Sequence, residues 1–163
     1  MSVTEGRLNP VDQAVISQAL LSAAREMGIK LYRSAYSPIV RDGKDASTGI
    51  LDAEGNAVAQ SDELIPMLVG SLSITFRSCA ALYPVATLKE GDFYICNHPY
   101  HGAHHLQDIL IFVPIFHDGV IVGFSAAVAH HLDVGGGAPG LNSTATDFYQ
   151  EGLVIPPSKY NLA

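Results

Sequence analysis

All seven histidines of this 163-residue chain lie between His98 and His131. A random scatter would rarely crowd them so, and the crowding asks for a chemical reason. Imidazole and carboxylate are ligands that Zn²⁺, Mn²⁺ and Fe²⁺ accept, and Asp108 lies between His104-His105 and His130-His131. The stretch therefore carries the donors for a divalent metal. The ordinary reading is a set of polar residues at a strand end, some hydrogen-bonded and some in water. His117 fits that reading, because it falls in a turn, and His98 and His101 fit either. Consecutive strand residues point to opposite faces, so only one of His130 and His131 can serve one site. His130 is favoured, with His131 in a supporting or core place.

The elements around the cluster follow from pattern. Ile109 to Phe116 and Val120 to Ala129 are apolar runs rich in β-branched and aromatic residues, separated by His117-Asp118-Gly119, which predicts a β-hairpin. A two-residue turn at Asp118-Gly119 makes Asp108 face Ala129 and places His105 and His130 on one side. A three-residue turn makes Asp108 face Val128 and places Asp108 with His130. Neither register collects all three, so a site using them all needs a bulge or a loop conformation near Leu106.

Upstream, Asn9-Pro10 reads as an N-cap and first helical residue. Val11, Val15, Leu20, Ala23, Ala24, Met27 and Leu31 approximate a 3.6-residue period, so an amphipathic helix is expected through Gly28 to about Arg33, ended by Ser37-Pro38. Asp52 to Asn56 between Thr48–Leu51 and Ala57–Ala59 predicts a short hairpin. Leu72 to Leu82 predicts a second helix closed by Pro84, and Phe93 to Ile95 a strand. Gly135-Gly136-Gly137 reads as a shape-determining turn, Pro156-Pro157 as a break before a short polar tail. The order predicts an α+β fold, amphipathic helices packed on a mainly antiparallel sheet.

Composition narrows the function. Residues are 48% apolar and 15% charged, enough for one core. The positive mean hydropathy is high for so small a free-standing domain, so residues 1–163 are expected to be one unit of a larger, multi-domain subunit. No apolar run is long enough to span a membrane and no secretory signal opens the chain, so a soluble cytoplasmic protein is expected. A net charge of −7 with nine Lys and Arg argues against nucleic acid. Cys79 and Cys96 lack CxxC spacing and read as buried thiols.

Blocks along the whole chain resemble the hydantoinase B family, which includes the α subunit of acetone carboxylase and the matching half of 5-oxoprolinase. They are Arg33-Ser34-Ala35-Tyr36-Ser37-Pro38, Asp45 ahead of Leu51-Asp52-Ala53-Glu54-Gly55, Ala59-Gln60-Ser61, Ile65-Pro66, Gly70-Ser71 and Gly91-Asp92. Asn97-His98-Pro99-Tyr100, His105-Leu106-Gln107-Asp108-Ile109, Ala129 to Gly136 and Gln150-Glu151-Gly152-Leu153 complete the series. Family members are several hundred residues long, so the chain resembles the N-terminal quarter to third of one.

The resemblance implies a divalent metal (Mn, Zn or Fe) on His105, Asp108 and His130, with Asp45 as a fourth ligand. It also implies an ATP-dependent cyclic amide hydrolase of hydantoinase or oxoprolinase type, or a ketone carboxylase. In either, an A-like partner subunit binds and hydrolyses ATP while the B-like subunit completes ring opening or carboxylation on a small amide or ketone. The remainder of the B-like subunit is a further expected partner. No GxxxxGK[ST] loop is present, so ATP is not assigned to this chain. A general base, an oxyanion stabiliser and a complete pocket cannot all be identified, which argues against a self-sufficient metal hydrolase. The alternative is a non-catalytic fragment that assembles a larger complex. His98 stands where relatives commonly have aspartate, His104 where threonine is usual and Leu68 where histidine is frequent, which points to an altered pocket.

Overall fold

The structure, a computed structural model, describes residues 9–162. Asn9 caps helix α1 (Pro10–Ser34), its side-chain oxygen accepting the N–H groups of Val11 and Asp12 at 2.9 Å each. The helix continues through Gly28 because that position is the point of closest approach to the sheet. A Cβ there would meet Leu64 Cδ1 at 2.9 Å and Ser61 Oγ at 3.0 Å. Thr48 seals the same contact by donating its hydroxyl proton to the Ala24 carbonyl at 2.9 Å. The expected amphipathic packing holds only for the second half. Val11, Val15 and Ile16 are exposed while Ala24 and Gly28 are buried, since the apolar stripe outruns the two strands it covers.

Helix α1 ends at Ser34, ahead of Ser37-Pro38, and a four-residue helix α2 (Pro38–Arg41), absent from the sequence expectation, starts on the proline. The hairpin β1 (Ala46–Leu51) and β2 (Ala57–Gln60) follows, its turn held by Asp52, whose Oδ1 accepts the N–H groups of Glu54 at 3.0 Å and Asn56 at 2.8 Å. Helix α3 (Val69–Leu82) begins three residues before the predicted start, after a 3₁₀ turn at Pro66–Leu68. Then come β3 (Asp92–Cys96), β4 (Asp108–His117), β5 (Val120–His130) and an edge strand β6 (Ser158–Asn161). Strand β6 forms where the sequence pattern shows only a short polar tail. It is held by the buried Asp92, which accepts from Asn161 Nδ2 at 2.7 Å and Lys159 Nζ at 3.3 Å.

The six strands run in the order β2-β1-β5-β4-β3-β6 with every pairing antiparallel, so the α+β expectation is met. Leu110, Phe112, Phe124, Ala126 and Val128 point to the face covered by α3. Phe76 of α3 is the centre of that core, with ring centroids 4.5 Å from Phe124, 5.7 Å from Phe112 and 5.9 Å from Tyr94. Its truncation to alanine would cost about 3–5 kcal/mol. The opposite face is covered by α1 and α2 over β1 and β2, which is why β1 is buried at every position. Cys79 and Cys96 are both buried and free. Among the described residues, no helix is long and apolar enough to cross a membrane.

The β4–β5 register differs from both sequence alternatives. Asp118 and Gly119 have φ of 48° and 76°, the left-handed pair that a two-residue hairpin turn requires, and His117 faces Val120. The ladder then shifts between Ile115 and Phe116. Phe116 faces Ile121 but Ile115 faces Gly123, so Val122 is an extra residue on β5. The bulge therefore lies near the turn, not at Leu106, and it brings Asp108 directly opposite His130.

Candidate metal centre

Asp108 opens β4 and His130 closes β5, so they meet at the end of the sheet remote from the hairpin turn. Residues directly opposite in a ladder share a face, and this pair lies on the α3 side. His130 Nδ1 is 2.8 Å from Asp108 Oδ1. His105 comes from the loop before β4. Its backbone N–H donates to Asp108 Oδ2 at 3.0 Å and its ring Nδ1 lies 3.2 Å from the same oxygen. One ligand atom from each of His105, Asp108 and His130 lies within 4.8 Å of the others, and among the described residues these form the one such group. Asp108 is fully buried, His130 nearly so, and His105 is 44% exposed, which leaves the group open to solvent on one side.

The electrostatics follow from that burial. Desolvation pushes the Asp108 carboxyl up, but the hydrogen bond from His130, the His130 and His105 charges and the His105 N–H outweigh it, leaving the group below its ordinary value. His130 is raised, first by its hydrogen bond to Asp108, against burial, with the Asp108 and Asp45 charges adding. Two imidazoles and a carboxylate facing one point with solvent access match the donor set that Zn²⁺, Mn²⁺ or Fe²⁺ takes with open positions.

Asp45 sits beside the group. Its backbone carbonyl accepts the His130 N–H at 3.0 Å, and its carboxylate acts on His130 through charge without being one of the converging atoms. His131 faces the other way, donating its N–H to Gln107 O at 2.8 Å and lining a cleft against α1 and α2. His104 is exposed and outside the group. His98 and His101 belong to an aromatic cluster with Tyr100 and Phe148, His98 lying 4.9 Å from His101 and 5.3 Å from Phe148 by ring centroids. Leu68 lies in the α3 core, so its side chain faces no open pocket. His117 is exposed at the turn.

Two supports went unrecognised in the sequence. Buried Asn97 donates Nδ2 protons to the carbonyls of Leu106 at 2.6 Å and Leu153 at 2.8 Å, and accepts the Ile155 N–H at 2.6 Å. Gln107, also buried, donates to the Gly140 carbonyl at 3.0 Å. Together they tie the ligand loop to residues 140–155. A polar amide directly after an apolar strand was the available signal for Asn97. Gly136 packs against the same segment, where a Cβ would meet Glu151 O at 2.6 Å, and Gly135 takes φ of 79°, so the glycine run is a turn.

The sequence of residues 9–161 matches the family described as Hydantoinase B/oxoprolinase. An uncharacterised protein of Methanocaldococcus jannaschii is 39% identical over 155 residues, which is 93% of this chain and 27% of that protein. The caprolactamase subunit beta of Pseudomonas jessenii is 33% identical over 153 residues, covering 93% of this chain and 26% of its own length. The crystal structure of the ATP-dependent caprolactamase from Pseudomonas jessenii superposes with a TM-score of 0.80 at 29% identity, over 94% of this chain and 26% of that one. The chain thus spans about a quarter of the length of these relatives. With the match running through both ends of the sheet and through all three converging side chains, this chain belongs to the hydantoinase B/oxoprolinase family.

Proposed function

We propose that the chain is the metal-holding part of the B-type subunit of an ATP-dependent enzyme that hydrolyses cyclic amides, acting in the cytoplasm with an ATP-hydrolysing A-type subunit. The observation that carries this reading is the convergence of His105, Asp108 and His130 at one buried, solvent-accessible sheet end. A divalent Mn, Zn or Fe ion held there would polarise a substrate carbonyl or activate water. Asp45, whose carboxylate already acts on His130 through charge from beside the group, would turn in as a fourth ligand.

The residues themselves do the positioning. The His105 N–H and the His130 ring fix both oxygens of Asp108, so the carboxylate cannot rotate away. Asp45 O fixes the backbone of His130, and Asn97 fixes the carbonyl of Leu106 inside the ligand loop. ATP belongs to the partner subunit, because the glycine-rich stretch here is a packed turn that opens no helix N-terminus. A ketone carboxylase would use the same polarised carbonyl. Its substrate would be distinguished by turnover, not by the ligands.

The test is elemental mass spectrometry of the protein beside its Asp108→Ala variant, followed by ATP-dependent turnover of 5-oxoproline, hydantoin and caprolactam, and of acetone with bicarbonate, by the assembled complex. Near-stoichiometric metal that disappears with Asp108, together with ring opening, supports the reading. A metal-free protein in an active complex sinks it.

A further inference from the structure

The two faces of the central strands are finished differently. On the inner face α3 covers everything from β1 to β3. On the outer face, α1 and α2 cover β1, β2 and the Ala129 end of β5 and stop. Beyond them Ile111, Val113 and Ile115 of β4 are 37%, 41% and 37% exposed, flanked by half-buried Phe93 and Ile95 of β3 and by Val122 in the β5 bulge. No outward position of β3, β4 or β5 short of the turn carries a charge.

The bare strip is walled on both sides. A cleft of about 410 Å³ separates it from the end of α1 and from α2, floored by Ile109 and Ala127, with the Ser37 hydroxyl buried there without a partner. A second cleft of about 530 Å³ lies between Phe93, Ile95 and the segment Leu153 to Pro156. The result is a trough a few strands wide, at about 4.8 Å per strand. An aliphatic trough of this kind in a chain of net charge −7 is a surface built to be covered.

We infer that the trough seats the polypeptide that corresponds to the other three quarters of the family's subunits. The relatives run to about four times the matched length, and the matched quarter of the caprolactamase has this same fold. The absence of charge fits an intra-subunit type of packing, which resembles a core cut in half, better than a transient contact with a charged rim. The inference rests on the family assignment and on the B-type subunit reading, and uses nothing of the metal.

The experiment places the photo-crosslinking residue p-benzoyl-phenylalanine at position 113 of the protein in its native assembly, with position 30 on the exposed side of α1 as control, and identifies the adduct by mass spectrometry. The expected adduct joins position 113, and not position 30, to sequence that aligns with the relatives outside their matched quarter. An adduct with a second copy of this chain, one with an unrelated protein, or none at all overturns the inference. A second arm uses Val113→Asp, which should keep the circular dichroism spectrum of the chain while cutting co-purification with that polypeptide at least about tenfold. Unchanged co-purification overturns it. Crosslinking in a His130→Ala chain reads the surface without the metal, so the trough and the metal reading fail separately.

Discussion

The β4–β5 hairpin carries a histidine–aspartate pair at each end, and the two pairs could hardly differ more in consequence. At the turn, His117 and Asp118 lie 3.7 Å apart with side chains 79% and 92% exposed. At the far end His130 and Asp108 lie 2.8 Å apart, 9% and 0% exposed, with His105 closing on the same carboxylate. The residue types are identical. What separates them is water: an exposed pair interacts in high dielectric and adds about 0–1 kcal/mol at most, whereas a buried carboxylate must be satisfied and so holds its neighbours in place. The comparison teaches that ligand competence here comes from the ladder and the burial around the pair.

The sharpest way to break the contrast is Asp108→Ala against Asp118→Asn, asparagine being able to keep the left-handed backbone of the turn. The first should abolish bound metal in elemental analysis and destabilise the fold by about 3–5 kcal/mol, since it leaves His130 buried without its partner. The second should change the unfolding free energy measured in urea by less than about 0.5 kcal/mol.

Next in size is His130→Ala beside His117→Ala. Losing one of three or four ligands should weaken metal binding on the order of 100-fold, read by competition with a chromophoric chelator, while the His117 variant binds as the parent does. A parent-like affinity in the His130 variant would remove that residue from the site.

Acidity tests the pair without substitution. Because His130 is raised, protons compete for it at higher pH than for an ordinary histidine, so metal affinity should begin to fall as pH drops through the neutral range. In metal-free protein the sign is worked from each group. The raised His130 stabilises below about pH 6.5 and loses that contribution as pH rises through its folded pKa. The lowered Asp108 stabilises above about pH 4 and loses its contribution as pH falls through its folded pKa. Thermal melts of the metal-free protein should therefore gain most from the pair between about pH 4 and 6.5, and the gain should vanish in Asp108→Ala.

The smallest effect is expected from deleting Val122. Removing the extra residue leaves Phe116 facing Ile121 and Ile115 facing Gly123, so a regular ladder still delivers Asp108 opposite His130. Metal affinity should stay within about twofold, well under 1 kcal/mol. A large loss would mean that the twist the bulge adds, beyond the pairing, aims the ligands.

Much of this was legible in one dimension. Asn9-Pro10 announced α1 because capping and proline geometry are local, and the two hairpins announced themselves through Asp-Gly and Glu-Gly turns between β-branched runs. The crowding of histidines around Asp108 announced a cluster of donor side chains, because donor type is written in residue identity. The resemblance of ordered blocks announced the family. What stayed hidden was whatever depended on partners distant along the chain. Strand β6 exists because Asp92 holds Lys159 and Asn161, and Asn97 matters because it reaches Leu106, Leu153 and Ile155 together.

The register of β4 against β5 marks the boundary most clearly. Residue identity alone supplied the donors, the hairpin and its turn. A single bulged residue at Val122 decided which donors share a face, because strand side chains alternate with a period of two and one extra residue reverses every position beyond it. No local propensity places that residue. It is chosen by the fit of Leu110, Phe112, Phe124 and Val128 beneath α3, a packing condition that exists only once the sheet and helix have met.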